Sequence, residues 1–120
     1  VDSSKNVLIE RVYIDTGDDA IALKSGEDEA GRRFGMATDN VTVRGSWLRA
    51  NTFAIGSEMS GGVSNVRFID SVISDAEGSG TYILRVKSKA GRGGFVRDIH
   101  TENVHAAVLA TNDARPLPSR

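Results

Sequence analysis

The chain has 120 residues, enough for the core of one domain and too few for two. Hydrophobic residues make up 39% and charged residues 26%, a balance that excludes intrinsic disorder. A formal net charge of -1 gives no bias toward nucleic acid or membrane, and no run approaches the ~20 apolar residues of a membrane span. The absence of cysteine removes disulfides, thiolate metal sites and thiol nucleophiles, and is compatible with an oxidising or a reducing compartment. The first residue is valine rather than methionine, and a segment of a longer chain is the expectation.

Taken in order, the chain shows four similar stretches. Residues 6–14, beginning Asn6-Val7, mix β-branched residues with alternating polar ones, which is strand patterning. A second short apolar run comes at 20–23. The pattern recurs at 40–48 with 53–55, at 65–73 with 82–86, and more loosely at 95–104 with 106–109. The repeat starts are spaced 34, 25 and 30 residues apart, from Asn6 to Asn40, Asn65 and Phe95. That period is too short for strand–helix–strand units, and no window carries a sustained helical period. It suits one turn of a solenoid of strands, in which each coil buries its inner face by stacking on its neighbours. The fold class is therefore all-β, a solenoid of strands of about four to five coils of a longer domain, with an antiparallel sandwich as the main alternative. Residues 1–112 are the partial solenoid and 113–120, with Pro116 and Pro118, a tail or truncated next coil. The variable spacing falls in loops at 27–39 and 74–81. There is no leucine ladder, and no Asn-Gly hairpin turn of the kind an antiparallel sandwich wants. Asn6, Asn40 and Asn65 read as one corner of successive coils, with stacked amides and an architectural role.

The chemistry concentrates at Gly17-Asp18-Asp19, just before the apolar run 20–23. Successive strand residues point to opposite faces, so two adjacent carboxylates facing one cleft require a bend, which Gly17 permits. Crowded carboxylates push one another's pKa values apart, leaving one as acid and one as base. Arg85 and Lys87, two apart on a strand, share a face and suit a carboxylate-bearing ligand. Lys89, Arg92 and Arg97 extend the basic character of that region. Trp47 lies within a repeat strand and is read as core rather than as a sugar platform, and His100 and His105 as incidental.

Residues 14–26, Ile-Asp-Thr-Gly-Asp-Asp-Ala-Ile-Ala-Leu-Lys-Ser-Gly, resemble the Asp-Asp-Cys-Ile-Ala-Ile-Lys-Ser-Gly signature of the polygalacturonases, glycoside hydrolase family 28, with Ala20 at the usual cysteine. Residues 53–62, Phe-Ala-Ile-Gly-Ser-Glu-Met-Ser-Gly-Gly, are similar to the continuation of the family's Gly-His-Gly block. Arg85-Val86-Lys87 resembles its Arg-Ile-Lys motif, with a glycine-rich loop at 91–94. The opening Asp2-Ser3-Ser4-Lys5-Asn6-Val7 is similar to the stretch immediately after the family's Asn-Thr-Asp motif.

The resemblance implies that the solenoid is a right-handed parallel β-helix, with Asp18 as general acid and Asp19 as a base partner in an inverting hydrolysis, which sets the carboxyls ~6.5–9.5 Å apart. The remaining aspartate would lie a few positions before Val1, so the chain alone is expected to be inactive. Its uncapped end coils are expected to make it aggregate or partly unfold in isolation. Arg85, Lys87, Asn51 and Glu58 are the implied substrate-binding residues, with no cofactor and no metal. The implied partner is an acidic polysaccharide (pectin or galacturonan), with no nucleic acid and no membrane. The full-length protein would be a monomer, secreted or periplasmic. Asn51 stands where the family's histidine stands, and can replace its hydrogen bonding but not its titration. That opens rhamnogalacturonan as an alternative substrate. A non-catalytic β-helix binding or adhesion module is a second alternative. A third is a calcium-dependent lyase using Asp15, Asp18, Asp19 and Glu58, although their spacing follows no calcium loop.

Overall fold

The computed structural model describes residues 1–75 and 81–107. The expected boundary at 112–113, the tail, the end of the 106–109 run and most of the 74–81 loop lie outside those residues.

The first coil comprises β1 (Lys5–Glu10), β2 (Tyr13–Asp15) and β3 (Ile21–Leu23). After α1 (Asp28–Phe34), the second repeats it with β4 (Thr38–Arg44), β5 (Trp47–Arg49) and β6 (Thr52–Ile55). In the third, one long strand, β7 (Val63–Ser74), replaces the first two, and β8 (Tyr82–Val86) comes after it. The strand β9 (Val96–Ala107) opens a fourth. Each strand pairs in parallel with its counterpart one coil on: β1 with β4, β4 with β7, β7 with β9, β2 with β5, and β5 with β7. The strands β3, β6 and β8 form a separate parallel sheet. This is the right-handed parallel β-helix that the repeats and the family resemblance together imply.

The corners explain the recurring asparagines. Asn6, Asn40, Asn65 and Asp98 all have left-handed backbone, with φ between 53° and 59°. Asn and Asp enter that region more readily than other residues carrying a Cβ. The Asn40 amide donates to the Asn6 side-chain oxygen at 2.8 Å. The Asn65 amide donates instead to Asp39, at 2.7 Å, so the ladder is mixed rather than purely asparagine. Ser64 pairs with Arg97 and Val66 with Ile99, so Asp98 takes the corner in the fourth repeat, three residues after the Phe95 start read from sequence. Arg11, Gly45, Asp70 and Asn103 form a second left-handed corner, where Asn103 donates to Asp70 at 2.7 Å.

Inward residues stack into one core of Leu23, Val41, Val43, Leu48, Phe53, Ile55, Val66, Phe68 and Ile73. Phe53 and Phe68 meet at its centre, ring centroids 4.9 Å apart. Two local expectations change. The 27–39 loop contains α1, a seven-residue helix with Asp28 and Glu29 in its first turn, Arg32 and Arg33 in its last, and left-handed Gly35 closing it. These charges complement the helix dipole, and a helix this short on the surface needs no apolar stripe. Trp47 is not core. Strand alternation gives the inward place to Leu48, and Trp47 lies on the outer face, edge-on to Tyr13 and donating to Ser74 at 3.0 Å.

Candidate active site

The small sheet β3–β6–β8 carries the candidate residues on its outward face and at its two rims. Ile21, Leu23, Phe53 and Ile55 point into the core, so Ala22 and Ala54 fall on the outer face, in register with Arg85.

Asp18 and Asp19 occupy the turn before β3. Asn51, one coil on, fixes this turn from both its backbone and its side chain. Its N–H donates to the Asp18 carbonyl at 3.2 Å and its amide donates to the Gly17 carbonyl at 3.3 Å. Its own carbonyl accepts from Tyr82 N–H at 3.0 Å, so the aspartate turn, Asn51 and the start of β8 form one column. The chain bends at Gly17 and Asp18, but without using glycine's conformational freedom at Gly17. Its φ is not left-handed, and a Cβ there would meet nothing within 4 Å.

The two aspartates have different surroundings. Asp18 is exposed, and its carboxylate makes no hydrogen bond or ion pair among the described residues. Asp19 has a side chain 14% exposed, and the Lys87 ammonium donates to it in a close ion pair that crosses from the third coil to the first. Lys87 is held in turn by its N–H, which donates to Ile55 at 2.8 Å. Arg85, on the same strand face, lies over the Tyr82 ring at 5.4 Å and pairs with no carboxylate among the described residues.

At the opposite rim Lys24 donates to Glu58 at 2.5 Å. Hydrogen bonding from Lys24, then from the Glu58 backbone, brings the Glu58 carboxyl down from an ordinary 4.5 to about 2. Val1, Asp2 and Ser3 run along the free edge of β3: the Lys24 N–H donates to Val1 at 2.8 Å, and Asp2 accepts from Gly26 at 3.1 Å.

The site therefore gathers Asp18, Asp19, Asn51, Arg85 and Lys87, with the Lys24–Glu58 pair beside them. Sequence reasoning missed Lys24, although it sits inside the Ala-Leu-Lys-Ser-Gly stretch that marks the site. Lys89 and Arg92 do not extend the basic face. Lys89 lies 3.2 Å from Asp28, and Arg92 lies 3.0 Å from Glu27 and 3.1 Å from Asp28. Arg97 sits 4.8 Å over the Phe95 ring. His100 and His105 stand on β9, against Glu102 and Asn103, away from the aspartates. The four acids considered for calcium do not converge either: Asp15 pairs with Arg49, Asp19 with Lys87 and Glu58 with Lys24. Among the described residues no cluster of three or more metal-binding side chains forms.

The chain is thus a parallel β-helix with an Asp-Asp turn and an Arg-x-Lys strand on one face, and comparisons with known proteins give its family. The model of Glycosyl hydrolases family 28 matches residues 1–112, and the chain belongs to that family. It is 41% identical over 106 residues to a probable polygalacturonase of Vitis vinifera, covering 86% of this chain and 21% of that protein. It is 35% identical over 115 residues to a polygalacturonase of Ralstonia nicotianae, covering 95% and 19%. The crystal structure of a hyperthermoactive exopolygalacturonase from Thermotoga maritima superposes with a TM-score of 0.75 at 33% identity, over 86% of this chain and 27% of that one. The chain thus spans about a fifth of the length of the curated relatives it matches.

Proposed function

We propose that this chain carries part of the active site of a pectin-degrading hydrolase that cleaves α-linked galacturonide bonds with inversion. The observation that carries the reading is the convergence of Asp18, Asp19, Asn51, Arg85 and Lys87 on one face of a family 28 β-helix. Asp18 is the general acid. Its carboxylate is exposed and unpaired among the described residues, so it is open to a glycosidic oxygen. It gives its proton to that oxygen as the bond to the anomeric carbon breaks. Asp19 belongs to the base side. Its ion pair with Lys87 keeps an acceptor oxygen in place, and the water that attacks the opposite face of the sugar ring yields its proton to that side. In the family a second base carboxylate shares that step.

Arg85 is the recognition residue for the uronate. A guanidinium grips a carboxylate through two parallel N–H donors, and Tyr82 beneath it limits its freedom. Lys87 adds positive charge, while Asn51 and the ionised Glu58 supply acceptors and donors for hydroxyls. The substrate is an acidic pectic polysaccharide, and the native protein is a secreted or periplasmic monomer. Asn51 supports rhamnogalacturonan as a second candidate, since the histidine of homogalacturonan hydrolases is absent from its place.

Reducing-sugar release from polygalacturonate and from rhamnogalacturonan, by the native polypeptide that contains this chain, tests the reading. Asp18→Asn is expected to lower release by about 10²–10⁴-fold, the usual worth of a positioned general acid. An Asp18→Asn variant as active as the parent rejects the assignment. A parent that binds both polymers and cleaves neither is the non-catalytic module, and loss of activity to a chelator with an unsaturated product is the lyase.

A further inference from the structure

Beside the aspartate face lies a second charged cluster that the sugar chemistry does not use. Arg92 is only 4% exposed. A guanidinium at that depth requires counter-charge, and it finds Glu27 at 3.0 Å and Asp28 at 3.1 Å. Both acids stand at the start of α1. Arg32, in the last turn of α1, reaches the other way and donates to the carbonyls of Gly91 at 2.7 Å and Arg92 at 3.1 Å. Ser60, from the turn after β6, donates to the Arg92 carbonyl at 2.7 Å. The loop approaches too closely for side chains: a Cβ on Gly94 would lie 2.1 Å from the Met59 carbonyl oxygen, and one on Gly93 2.9 Å from Arg32.

This clasp ties together the turns at the ends of three successive coils. Its third member, residues 87–94, begins with Lys87. That segment is fixed at one end by the Lys87 N–H on Ile55 and at the other by Arg92, with Lys89 between them also paired to Asp28. Moving Arg92 therefore moves the strand end from which the Lys87 side chain reaches Asp19. We propose that Arg92 is a positioning residue: its ion pairs with Glu27 and Asp28 set the place of the Lys87 ammonium, and through it the Lys87–Asp19 contact. The inference rests on the functional reading only in giving that contact a role in catalysis; the contact itself can be measured without activity.

The test compares the native polypeptide with its Arg92→Met and Arg92→Lys variants. The primary readout is the rate at which dilute acetic anhydride acetylates each lysine amine, tracked by mass spectrometry. In the parent, pairing with Asp19 protects Lys87. Arg92→Met is expected to speed Lys87 labelling several-fold while Lys5 and Lys24 keep their rates, with Arg92→Lys between the two. On polygalacturonate the same variant is expected to raise KM by a larger factor than it lowers kcat. An unchanged Lys87 rate in folded Arg92→Met overturns the proposal. So does an equal rise at Lys24 and Lys87, which reports a loosened coil stack instead. Should Arg92→Met fail to fold, Glu27→Gln combined with Asp28→Asn removes the clasp from its other side, and an unchanged Lys87 rate there overturns the proposal equally. A protein that cleaves neither polymer defeats the functional reading, while the labelling still decides the clasp.

Discussion

Replacing Gly56 with alanine probes the packing beneath the candidate site most directly. Gly56 comes just after β6 and is sandwiched between coils: its N–H donates to Leu23 at 2.8 Å, and the neighbouring Ile55 carbonyl accepts from Lys87 at 2.8 Å. Its φ is +95°, and a Cβ there would lie 2.1 Å from the Lys87 carbonyl oxygen and 3.1 Å from its carbon. An ordinary carbon–oxygen contact is at least ~3.3 Å, so the two backbones must part by about 1 Å. That separation takes the Lys87 N–H bond beyond hydrogen-bonding range. Left-handed strain of about 1–2 kcal/mol, one lost hydrogen bond of about 1 kcal/mol and the overpacking itself bring the cost to about 3–5 kcal/mol. Gly17→Ala is the matched control, because Gly17 has open space and no left-handed φ, and it should change stability by no more than about 0.5 kcal/mol. The assay is urea unfolding of the native polypeptide, comparing midpoints at constant slope. Equal midpoints for the two variants, or a loss below about 1 kcal/mol for Gly56→Ala, would refute the argument from close backbone approach.

Two further outcomes are expected. Phe53→Ala, which empties a fully buried site against Phe68, should cost about 3–5 kcal/mol by the same urea measurement, and a loss under about 1 kcal/mol would contradict the placement of the core. Glu58 titrates near 4.5 when unfolded and near 2 when folded, so between those values the unfolded chain binds the extra proton. Its stabilisation is therefore complete above pH 4.5 and is lost as the pH falls through about 2. With the Lys24 and Glu58 side chains 38% and 32% exposed, solvent screening holds this to the order of 1 kcal/mol. Glu58→Gln should flatten the decline of melting temperature over that pH window, and an unaltered profile would dismiss the pair as a pH-dependent contributor.

The coils were legible because a solenoid writes its period into the chain: an Asn-Val start, two apolar runs, and turns that absorb the variable lengths. The fourth repeat was misplaced by three residues because the corner selects for left-handed backbone rather than for an amide, and Asp98 satisfies it as well as Asn65 does. Trp47 was misread because alternation, not size, decides which side chain enters the core, and the inward position belongs to Leu48. The helix α1 showed only in its end charges and in Gly35, which a search for helical period does not weigh. Glycines divide in the same way. Gly17 and Gly56 flank the same sheet and are indistinguishable as letters, yet only Gly56 meets a neighbouring backbone, and that neighbour lies a coil away.

The charged residues of the site sharpen the point. Asp18, Asp19 and the Arg-x-Lys strand were readable from motif and spacing, but the partner of each charge depends on register across coils. Lys87 reaches Asp19 across 68 residues, and Lys24 reaches Glu58 across 34. Arg85, Lys89 and Arg92 lie within eight positions and look like one basic patch in the sequence. In the fold they separate, because the acidic start of α1 stands opposite the loop and not opposite the strand. Glu27 and Asp28 take Lys89 and Arg92, and Arg85 retains a charge that no described carboxylate neutralises. The acidic helix start thus does more than complement the dipole of α1. By drawing Lys89 and Arg92 away from the aspartate face, it leaves Lys87 to pair with Asp19, and Arg85 beside the aspartates with no described carboxylate of its own.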